Sequence, residues 1–380
     1  MNYRCHFVIG LIVTMFFEAG CTQNHNKTIP LRPICSISQW EEYRSQGLVP
    51  ETIDHVFCSG GTLRLVVYLE CADKVVGVDT NESNAPKRNL MKAYLVAHPD
   101  LRTLPIAGET GGRDNPELLL TLKTPPQLII KADTGAGYDP SELTRRTGIP
   151  VLLIPMQGIT AGHENFDEGL RLLGKVLGKS ERAEQVIAFF DQEIADLKKR
   201  TDNTKELKPL VYVGGVSYNG SHGFNSSEAG YPPFVLVDAK SPLTEKSNDP
   251  ILGNRHTMVA KEKILEWNPD ILFLDLGTLN LGTCSGLVEL NTDSSYRSLK
   301  AVQDGKVYTL MANTFYGVNH DAVLANAWFV GKTLYPERFA DINPKRKADA
   351  IFDFLVGKPV FDAMNETMQQ PIFEPLYNSQ

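Results

Sequence analysis

Short apolar runs alternate with amphipathic helical segments from about residue 53 onward. The pattern predicts strands at 53–57, 75–79, 127–130 and 149–154, and helices at 63–74, 118–123 and 143–147. Strands that are separated by helices favour a parallel sheet with right-handed crossovers. Residues 51–165 are therefore predicted to form an N-terminal α/β lobe.

A long helical stretch without a strand follows at 166–200. Six apolar residues recur there at a spacing of three or four, as on one helix face: Ala183, Val186, Ile187, Phe190, Ile194 and Leu197. A second α/β series then has predicted strands at 210–213, 271–275 and 307–310 and closing helices at 322–334 and 345–355. We thus predict an α/β protein with two Rossmann-like lobes, the second at 201–380. One long α-helix joins the lobes, and a ligand cleft lies between them.

The two predicted lobes share a weak internal repeat. The segments 117–130 and 262–273 each contain an acidic residue, an apolar helix, a turn with proline and an apolar strand. Two lobes of like topology are the simplest explanation of this repeat.

The first twenty residues resemble a bacterial lipoprotein signal. A positive charge precedes an apolar run at 7–17, and small residues lie directly before Cys21. This order predicts that residues 1–20 are removed and that Cys21 is lipidated, with 21–50 as tether and N-terminal segment. Glu18 stands where such signals usually have leucine, so an uncleaved anchor and ordinary soluble secretion are the alternatives.

Composition excludes some classes of protein. The 380 residues include 45 acidic and 38 basic side chains, with a net charge of −7, which disfavours a general nucleic-acid-binding protein. No other apolar run reaches the roughly 18 residues of a membrane span. The cysteines that follow Cys21 lack the spacing of a metal cluster, and their disulfide pairing stays open: Cys35, Cys58, Cys71 and Cys284. Buried thiols are the simplest interpretation of Cys58 and Cys71.

Five segments, in their order along the chain, are familiar from a known family: 63–69, 72–79, 115–117, 267–275 and 296–308. Together they resemble the ABC-transporter substrate-binding proteins of the iron-siderophore, haem and cobalamin type. Within that family, residues 212–215 and 231–234 resemble the subgroup that binds iron complexes. The resemblance covers about 53–360, nearly all of the predicted mature chain.

The resemblance implies a rigid two-lobe binding protein and not an enzyme. Such a protein captures a small metal-chelate ligand and delivers it to an ABC permease and its ATPase. We expect an exported monomer on the periplasmic or cell-surface side, held at the membrane by the lipid on Cys21. The sequence contains no nucleophile elbow, Walker loop or dinucleotide fingerprint. A surface lipoprotein that scavenges a cofactor without a permease is the alternative.

Ligands of open α/β sheets lie beyond the carboxyl ends of the strands, and this rule selects the candidate ligand-binding residues. They are Ser59, Gly60, Gly61, Thr62, Thr110, Arg113, Asp133 and Gln157 in the first lobe, and Tyr218, His222, Asn313 and Tyr316 in the second. Glycines let backbone amides approach a ligand, and tyrosines offer a flat ring with a hydroxyl. Arg88 and Arg113 are candidate clamps for an anionic ligand. For any one of these residues, turn formation or packing is the simpler explanation.

The expected ligand is an iron(III) chelate whose chelator supplies the metal ligands, so no protein cofactor or protein metal ligand is predicted. Direct binding of iron or haem by His222 or His320 is a less favoured alternative. A corrinoid or haem needs a broad aromatic floor, which could come from Tyr218, Phe224, Phe315 and Tyr316. A small oxyanion such as molybdate needs amides and hydroxyls, which 59–62 and 110–113 could supply.

Two acidic residues occupy corresponding places in the repeat. The resemblance implies that Glu117 and Glu262, each at the start of a helix, dock into arginines of the permease. The alternative role is complementation of the helix dipole, typically about 0.3–1 kcal/mol, which does not exclude docking.

Overall fold

The computed structural model describes the following residues: 30–83, 91–132, 137–155, 158–160, 163–202, 208–218, 220–243, 255–314, 316–368 and 371–377. The predicted lipoprotein signal and Cys21 lie outside them. None of the helices in this described part is both long enough and apolar enough to cross a bilayer.

The first lobe has a sheet of six strands: β1 (Val56–Ser59), β2 (Val75–Asp79), β3 (Ile106–Glu109), β4 (Arg113–Asp114), β5 (Leu128–Ala132) and β6 (Val151–Ile154). Their order is β4-β3-β2-β1-β5-β6; β4 runs antiparallel to β3, and the other neighbours are parallel. The predicted parallel sheet is confirmed. The apolar pattern does not predict β3 and β4, because both strands are short and partly exposed.

Five α-helices belong to this lobe: α1 (Ile37–Ser45), α2 (Leu63–Tyr68), α3 (Ala93–Ala97), α4 (Pro116–Thr121) and α5 (Pro140–Thr147). Short 3₁₀-helices occupy Ala72–Lys74 and Pro99–Thr103. The helix predicted at 63–74 is shorter than expected, and the chain then turns through Glu70, whose φ of 56° is left-handed. All six residues of α2 are buried.

The segment before the first strand also packs onto this lobe. Ile34 forms a β-bridge with Leu152 in β6, and Trp40 and Tyr43 of α1 are buried. The Tyr43 hydroxyl donates a hydrogen bond to the carbonyl of Arg32 over 2.7 Å. From Ile34 onward, the chain assigned to the tether and N-terminal segment therefore contributes to the folded lobe.

Two helices connect the lobes: α6 (Glu164–Leu177) and α7 (Ser180–Thr201). They are separate because Gly178 ends α6 in the left-handed conformation, with φ 72°. The 22 residues of α7 give a rod of about 33 Å. Its predicted apolar face is confirmed, since all six residues of that stripe are buried.

The second lobe has five strands: β7 (Val211–Gly214), β8 (Ser226–Ala229), β9 (Arg255–Met258), β10 (Ile271–Asp275) and β11 (Val307–Leu310). A parallel sheet has the order β11-β10-β7, and β8 pairs with β9 as an antiparallel ribbon. The helices are α8 (Pro232–Leu236), α9 (Lys261–Trp267), α10 (Gly286–Thr292), α11 (Ser294–Arg297), α12 (Lys300–Gln303), α13 (His320–Leu334), α14 (Pro344–Val356) and α15 (Phe361–Thr367), with a 3₁₀ segment at Leu276–Cys284.

One hydrophobic core continues from the first lobe into the second. The same cluster of buried residues contains Val66 of α2, Phe190 of α7 and Trp328 of α13. The C-terminal helix α14 contacts α2 and α3 of the first lobe. This shared core, together with α7, fixes the two lobes side by side and positions the loops between them.

The four described cysteines are free thiols. Cys58 and Cys71 are buried, as predicted, whereas Cys35 and Cys284 are exposed. Burial raises the pKa of the Cys58 and Cys71 thiols. A buried thiol with a raised pKa is a poor nucleophile, so these two residues serve packing.

Candidate ligand-binding site

The loop after β1 brings two glycines to the boundary between the lobes. Gly60 and Gly61 have φ values of 69° and 88°, in the left-handed region that favours glycine. A Cβ atom on Gly61 would lie 2.6 Å from the carbonyl oxygen of Tyr316 in the second lobe. This close approach requires glycine at position 61.

Three backbone amides of the first lobe converge on one point, and we call them the amide nest: those of Gly60, Gly111 and Gly112. They donate to the hydroxyl oxygen of Tyr316 over 3.2, 3.2 and 3.3 Å. The hydroxyl in turn donates to Oδ2 of Asp79, at the end of β2. The nest thus holds an oxygen atom that reaches across from the other lobe.

The backbone around Tyr316 is also held by the first lobe. The Arg64 guanidinium in α2 donates to the carbonyl of Tyr316 over 2.5 Å and to Oδ1 of Asn319 over 2.9 Å. It also donates to the carbonyl of Val318. Tyr316 itself has a left-handed φ of 57°, which is strained for a residue with a side chain. Arg64 therefore fixes this loop in place.

The carboxyl group of Asp79 has an unusual pKa because of its surroundings. Burial and the nearby charge of Glu82 raise the pKa of Asp79 to about 7, against the opposing effects of Tyr316 and Lys92. Glu82 is paired with the Lys92 Nζ atom at 3.0 Å. Burial and Asp79 raise the pKa of the Tyr316 hydroxyl, so this group stays protonated.

A buried polar network supports the amide nest from below. Lys131 in β5 lies 2.8 Å from Oδ2 of Asp114, and its Nζ atom donates to the carbonyl of Gly112 over 2.5 Å. The Ser59 hydroxyl donates to the other oxygen of Asp114. These contacts fix the 110–113 loop against β1 and β5, so that its amides face the second lobe.

A cavity of about 250 Å³ lies beside the Tyr316 loop, with walls from both lobes. Its lining residues are Gly158, Ile159, Val216, Ser217, Tyr218, Glu228, Pro232, His256, Asn313, Thr314, Val318 and Val323. On one side the Tyr218 ring stacks on His256, with centroids 4.7 Å apart and planes at 4°. The His222 ring lies 4.9 Å from His256. The cavity therefore offers a flat aromatic surface, of which Tyr218 is 52% exposed.

The floor of the cavity is polar and buried. Asn313 donates from Nδ2 to Glu228 over 2.8 Å, and its backbone amide donates to Asp275 over 2.9 Å. Burial, with the charge of Asp275, raises the pKa of Glu228 to about 8. Oδ1 of Asn313 is buried and has no hydrogen-bond partner among the described residues.

Other candidate residues lie elsewhere. Thr110 and Arg113 are exposed at the rim of the first lobe, and the Thr62 hydroxyl is buried within 3.0 Å of the carbonyl of Ile130. Phe224, one of the four residues considered for an aromatic floor under a corrinoid or haem, instead packs in the core against Tyr212. His320, the alternative metal ligand, is buried against Phe166 with centroids 4.6 Å apart. Four candidates fall outside the described residues: Arg88, Asp133, Gln157 and Phe315.

Sequence reasoning missed several residues of this site. Asp79, Glu228, His256 and Asp275 were not among the candidates, although Asp79 and Asp275 are the last residues of parallel strands. That position was a usable signal, because the carboxyl ends of the strands define the cleft. No sequence pattern indicates that His256 belongs to the site, because the pairing of β9 with β8 brings it beside Tyr218.

The arrangement is suited to hydrogen bonding and stacking. Across the described ranges, no three His, Cys, Asp or Glu side chains come together as a potential metal site. The described residues instead offer amide donors on the first lobe and stacked rings on the second. Such groups recognise an organic ligand or an oxyanion by its oxygen atoms and flat faces.

The two candidate docking acids lie on the surface, one on each lobe. Glu117 lies in the first turn of α4, is 69% exposed and pairs with Arg146 at 2.5 Å. Glu262 lies in the first turn of α9 and is exposed. Both positions are compatible with contact to another protein.

Comparison with known proteins identifies the family. Residues 56–314, more than half of the chain, match the model of the periplasmic binding protein family. The chain belongs to this family, in agreement with the resemblance of its sequence motifs.

Two relatives and one solved structure are informative. The iron-uptake system-binding protein of Bacillus subtilis is 26% identical over 208 residues, which is 53% of this chain and 60% of that protein, less than two thirds of its length. The petrobactin-binding protein YclQ of the same organism is 25% identical over 280 residues, covering 70% and 81%. A periplasmic solute binding protein from Veillonella parvula has a TM-score of 0.62 at 20% identity, covering 84% of this chain and 92% of that one. This structural likeness confirms the two-lobed α/β fold.

Proposed function

We propose that this protein is the substrate-binding component of an ABC importer and that its ligand is an iron(III) chelate. The observation that carries the proposal is the boundary between the lobes, where the amide nest of the first lobe meets the Tyr316 loop of the second and a cavity with stacked rings lies beside that loop. The names of the two relatives, one for an iron-uptake system and one for petrobactin, favour iron over other cargo. The hydrogen-bonding character of the cleft favours a metal whose ligands come from a chelator.

A thermal-unfolding screen tests the ligand. The purified protein is heated with iron(III) complexes of a catecholate and of a hydroxamate chelator, with haem, with cobalamin and with molybdate. A ligand at 100 times its dissociation constant stabilises the folded state by about 2.7 kcal/mol. We expect stabilisation by an iron(III) chelate, and the iron-free chelators serve as controls. Stabilisation by haem, cobalamin or molybdate alone would reassign the ligand.

A small oxyanion is the second candidate, and the amide nest is the observation that favours it. Three amide donors that converge on one oxygen are a common way to bind an anion. Against it, the carboxyl of Asp79 faces the same point, so an anion requires that this group be protonated or displaced. The molybdate arm of the screen decides between the two candidates.

Delivery to a permease separates an importer component from a scavenging protein. We expect the ligand-loaded protein to stimulate the ATPase of the partner transporter reconstituted in liposomes. Tight ligand binding without stimulation by any transporter of the same organism would support the scavenging alternative.

We also propose that the protein is exported and held at the membrane by a lipid on Cys21. The order of charge, apolar run, small residues and cysteine supports this proposal. Intact-mass analysis should show a mature chain that begins at a diacylated Cys21, and Cys21→Ala should release the protein from membranes. Retention of residues 1–20 would contradict the proposal.

A further inference from the structure

The side chain of Tyr316 fills a place that is built for a ligand atom. Its hydroxyl oxygen accepts from three amides of the opposite lobe, at 3.2, 3.2 and 3.3 Å, and donates to Asp79. The Lys92 ammonium lies 5.5 Å from the centroid of the Tyr316 ring. The surrounding residues thus satisfy both parts of a phenol, its hydroxyl and its ring.

We propose that this place is a binding subsite for an aromatic hydroxyl of the ligand and that Tyr316 occupies it as an internal substitute in the ligand-free protein. The inference rests on the proposed function, because it specifies the chemical class that the same cleft accepts. It favours chelators that carry an aromatic hydroxyl not bound to the iron over those that contain only hydroxamates or carboxylates.

The chemistry at the nest selects a hydroxyl over a fully charged oxygen. While Asp79 is ionised, the three amide donors require an acceptor and Asp79 requires a donor, so one atom must do both. A phenolic hydroxyl that does not coordinate the iron keeps its proton and meets both requirements, whereas a catechol oxygen bound to iron(III) is deprotonated and does not. A carboxylate or a molybdate oxygen offers no proton and can occupy the nest only while Asp79 is itself protonated.

The exchange needs little movement of the backbone. Arg64 holds the carbonyl of Tyr316 and the side-chain oxygen of Asn319, and neither contact involves the phenol. The ring can therefore leave the subsite by side-chain rotation while the loop stays anchored. Tyr316 has a strained left-handed φ of 57°, and the contacts of Arg64 hold the loop in this conformation.

Chemical rescue tests the subsite independently of any importer. Tyr316→Ala removes the phenol and leaves its place empty. We expect p-cresol at millimolar concentration to raise the melting temperature of Tyr316→Ala by several degrees, while toluene, which lacks the hydroxyl, has no effect. In wild type, and in Tyr138→Ala, which removes a ring that lies beside Arg146 and does not line the cavity, p-cresol should produce no such shift. Equal effects of p-cresol and toluene, or no effect of either on Tyr316→Ala, would overturn the proposal.

A second variant covers the case in which Tyr316→Ala does not fold. Tyr316→Phe keeps the ring but loses the contacts to the nest, so a ligand displaces it more easily. We expect several-fold tighter binding to Tyr316→Phe than to wild type for an iron(III) complex whose chelator carries a phenol that does not coordinate the metal, measured by calorimetry. Unchanged or weaker binding would mean that Tyr316 is not a competing occupant. If no iron chelate binds but p-cresol rescues Tyr316→Ala, the proposed function fails while the subsite stands.

Discussion

At the scale of single residues, two glycines in the first-lobe loops have the same backbone conformation but different surroundings. Gly61 and Gly111 have φ values of 88° and 84°, and a Cβ atom would lie 2.6 Å from a carbonyl at Gly61 but meet nothing within 4 Å at Gly111. We expect Gly111→Ala to cost about 1 kcal/mol through backbone strain alone. Gly61→Ala should cost clearly more, because the methyl group also separates the lobes at Tyr316.

Urea unfolding of the two alanine variants measures this difference. Similar losses of unfolding free energy would show that the contact between Gly61 and Tyr316 is not maintained in solution.

The ion pair below the amide nest is a second feature at this scale. Lys131 and Asp114 are almost fully buried at 2.8 Å. We expect Lys131→Met to destabilise the protein by about 3–5 kcal/mol, because the Asp114 carboxylate would be left buried and unpaired. The exposed pair of Arg145 and Glu142 is the matched control, and Arg145→Met should cost far less than Lys131→Met, because solvent screens this pair. Thermal unfolding of both variants provides the comparison, and equal losses would contradict the role given to burial.

Sequence reasoning could locate the loops of the site but not the contacts within them. Gly60 and Tyr316 were candidates because they follow strands, yet their mutual hydrogen bond joins residues 256 positions apart. No periodic pattern encodes such a contact. Phe224 was placed in the site by its residue type, whereas the packing of β7 against β8 puts it in the core.

At the scale of elements, the carboxyl groups at the carboxyl ends of the second-lobe strands make stability depend on pH. Burial raises the pKa of Glu228 in β8 to about 8, from an ordinary value of 4.5. Between these values the folded protein keeps a proton that the unfolded chain has lost, so stability falls as the pH rises from about 4.5 to 8. One such group lowers the unfolding free energy by about 1.4 kcal/mol per pH unit in this range.

The variant Glu228→Gln isolates this contribution. It keeps the shape and the hydrogen bond with Asn313 but cannot ionise, so its stability should fall less steeply with pH. Urea unfolding at pH 5, 6, 7 and 8 measures both slopes. A residual slope is expected, because Asp275 and Asp79 also have pKa values raised to about 7. Parallel slopes for wild type and Glu228→Gln would contradict the assigned pKa.

Among the strands and helices, those with a strong apolar pattern could be predicted from the sequence, and those formed by long-range pairing could not. The buried strands β2, β10 and β11 have the predicted bounds, because each is a short apolar run between turns. The β8–β9 ribbon is polar in sequence, as in Ser226–Ala229, and forms by pairing across a long insertion. Gly178 divides the predicted long helix, a break that periodicity alone does not reveal.

At the scale of the whole molecule, the continuous core and α7 hold the lobes in one arrangement. We therefore expect little closure on ligand binding, and a partner would then detect the ligand-loaded state through small changes near the cleft. The exchange of Tyr316 for a ligand hydroxyl provides such a change, because it removes four hydrogen bonds between the lobes.

The proposed docking to a permease belongs to the same scale, because the two candidate acids lie on different lobes. Glu117 and Glu262 are exposed in the first turns of α4 and α9, and neither lines the cavity of the cleft. We expect the double variant Glu117→Gln with Glu262→Gln to bind the iron(III) chelate as wild type does but to lose most stimulation of the transporter ATPase. Each single variant should lose part of the ATPase stimulation, because each acid would contribute one of the two contacts with the permease.

The matched control is a pair of exposed acids away from these helices, Glu181 and Glu337, changed to glutamine in the same way. This pair alters the net charge equally, so any effect of charge on long-range attraction to the membrane or the transporter appears in both proteins. Transport assays in liposomes at two salt concentrations compare them. Equal losses in both double variants would assign the effect to net charge. Full stimulation by the Glu117 and Glu262 variant would leave helix-dipole complementation as the role of these residues.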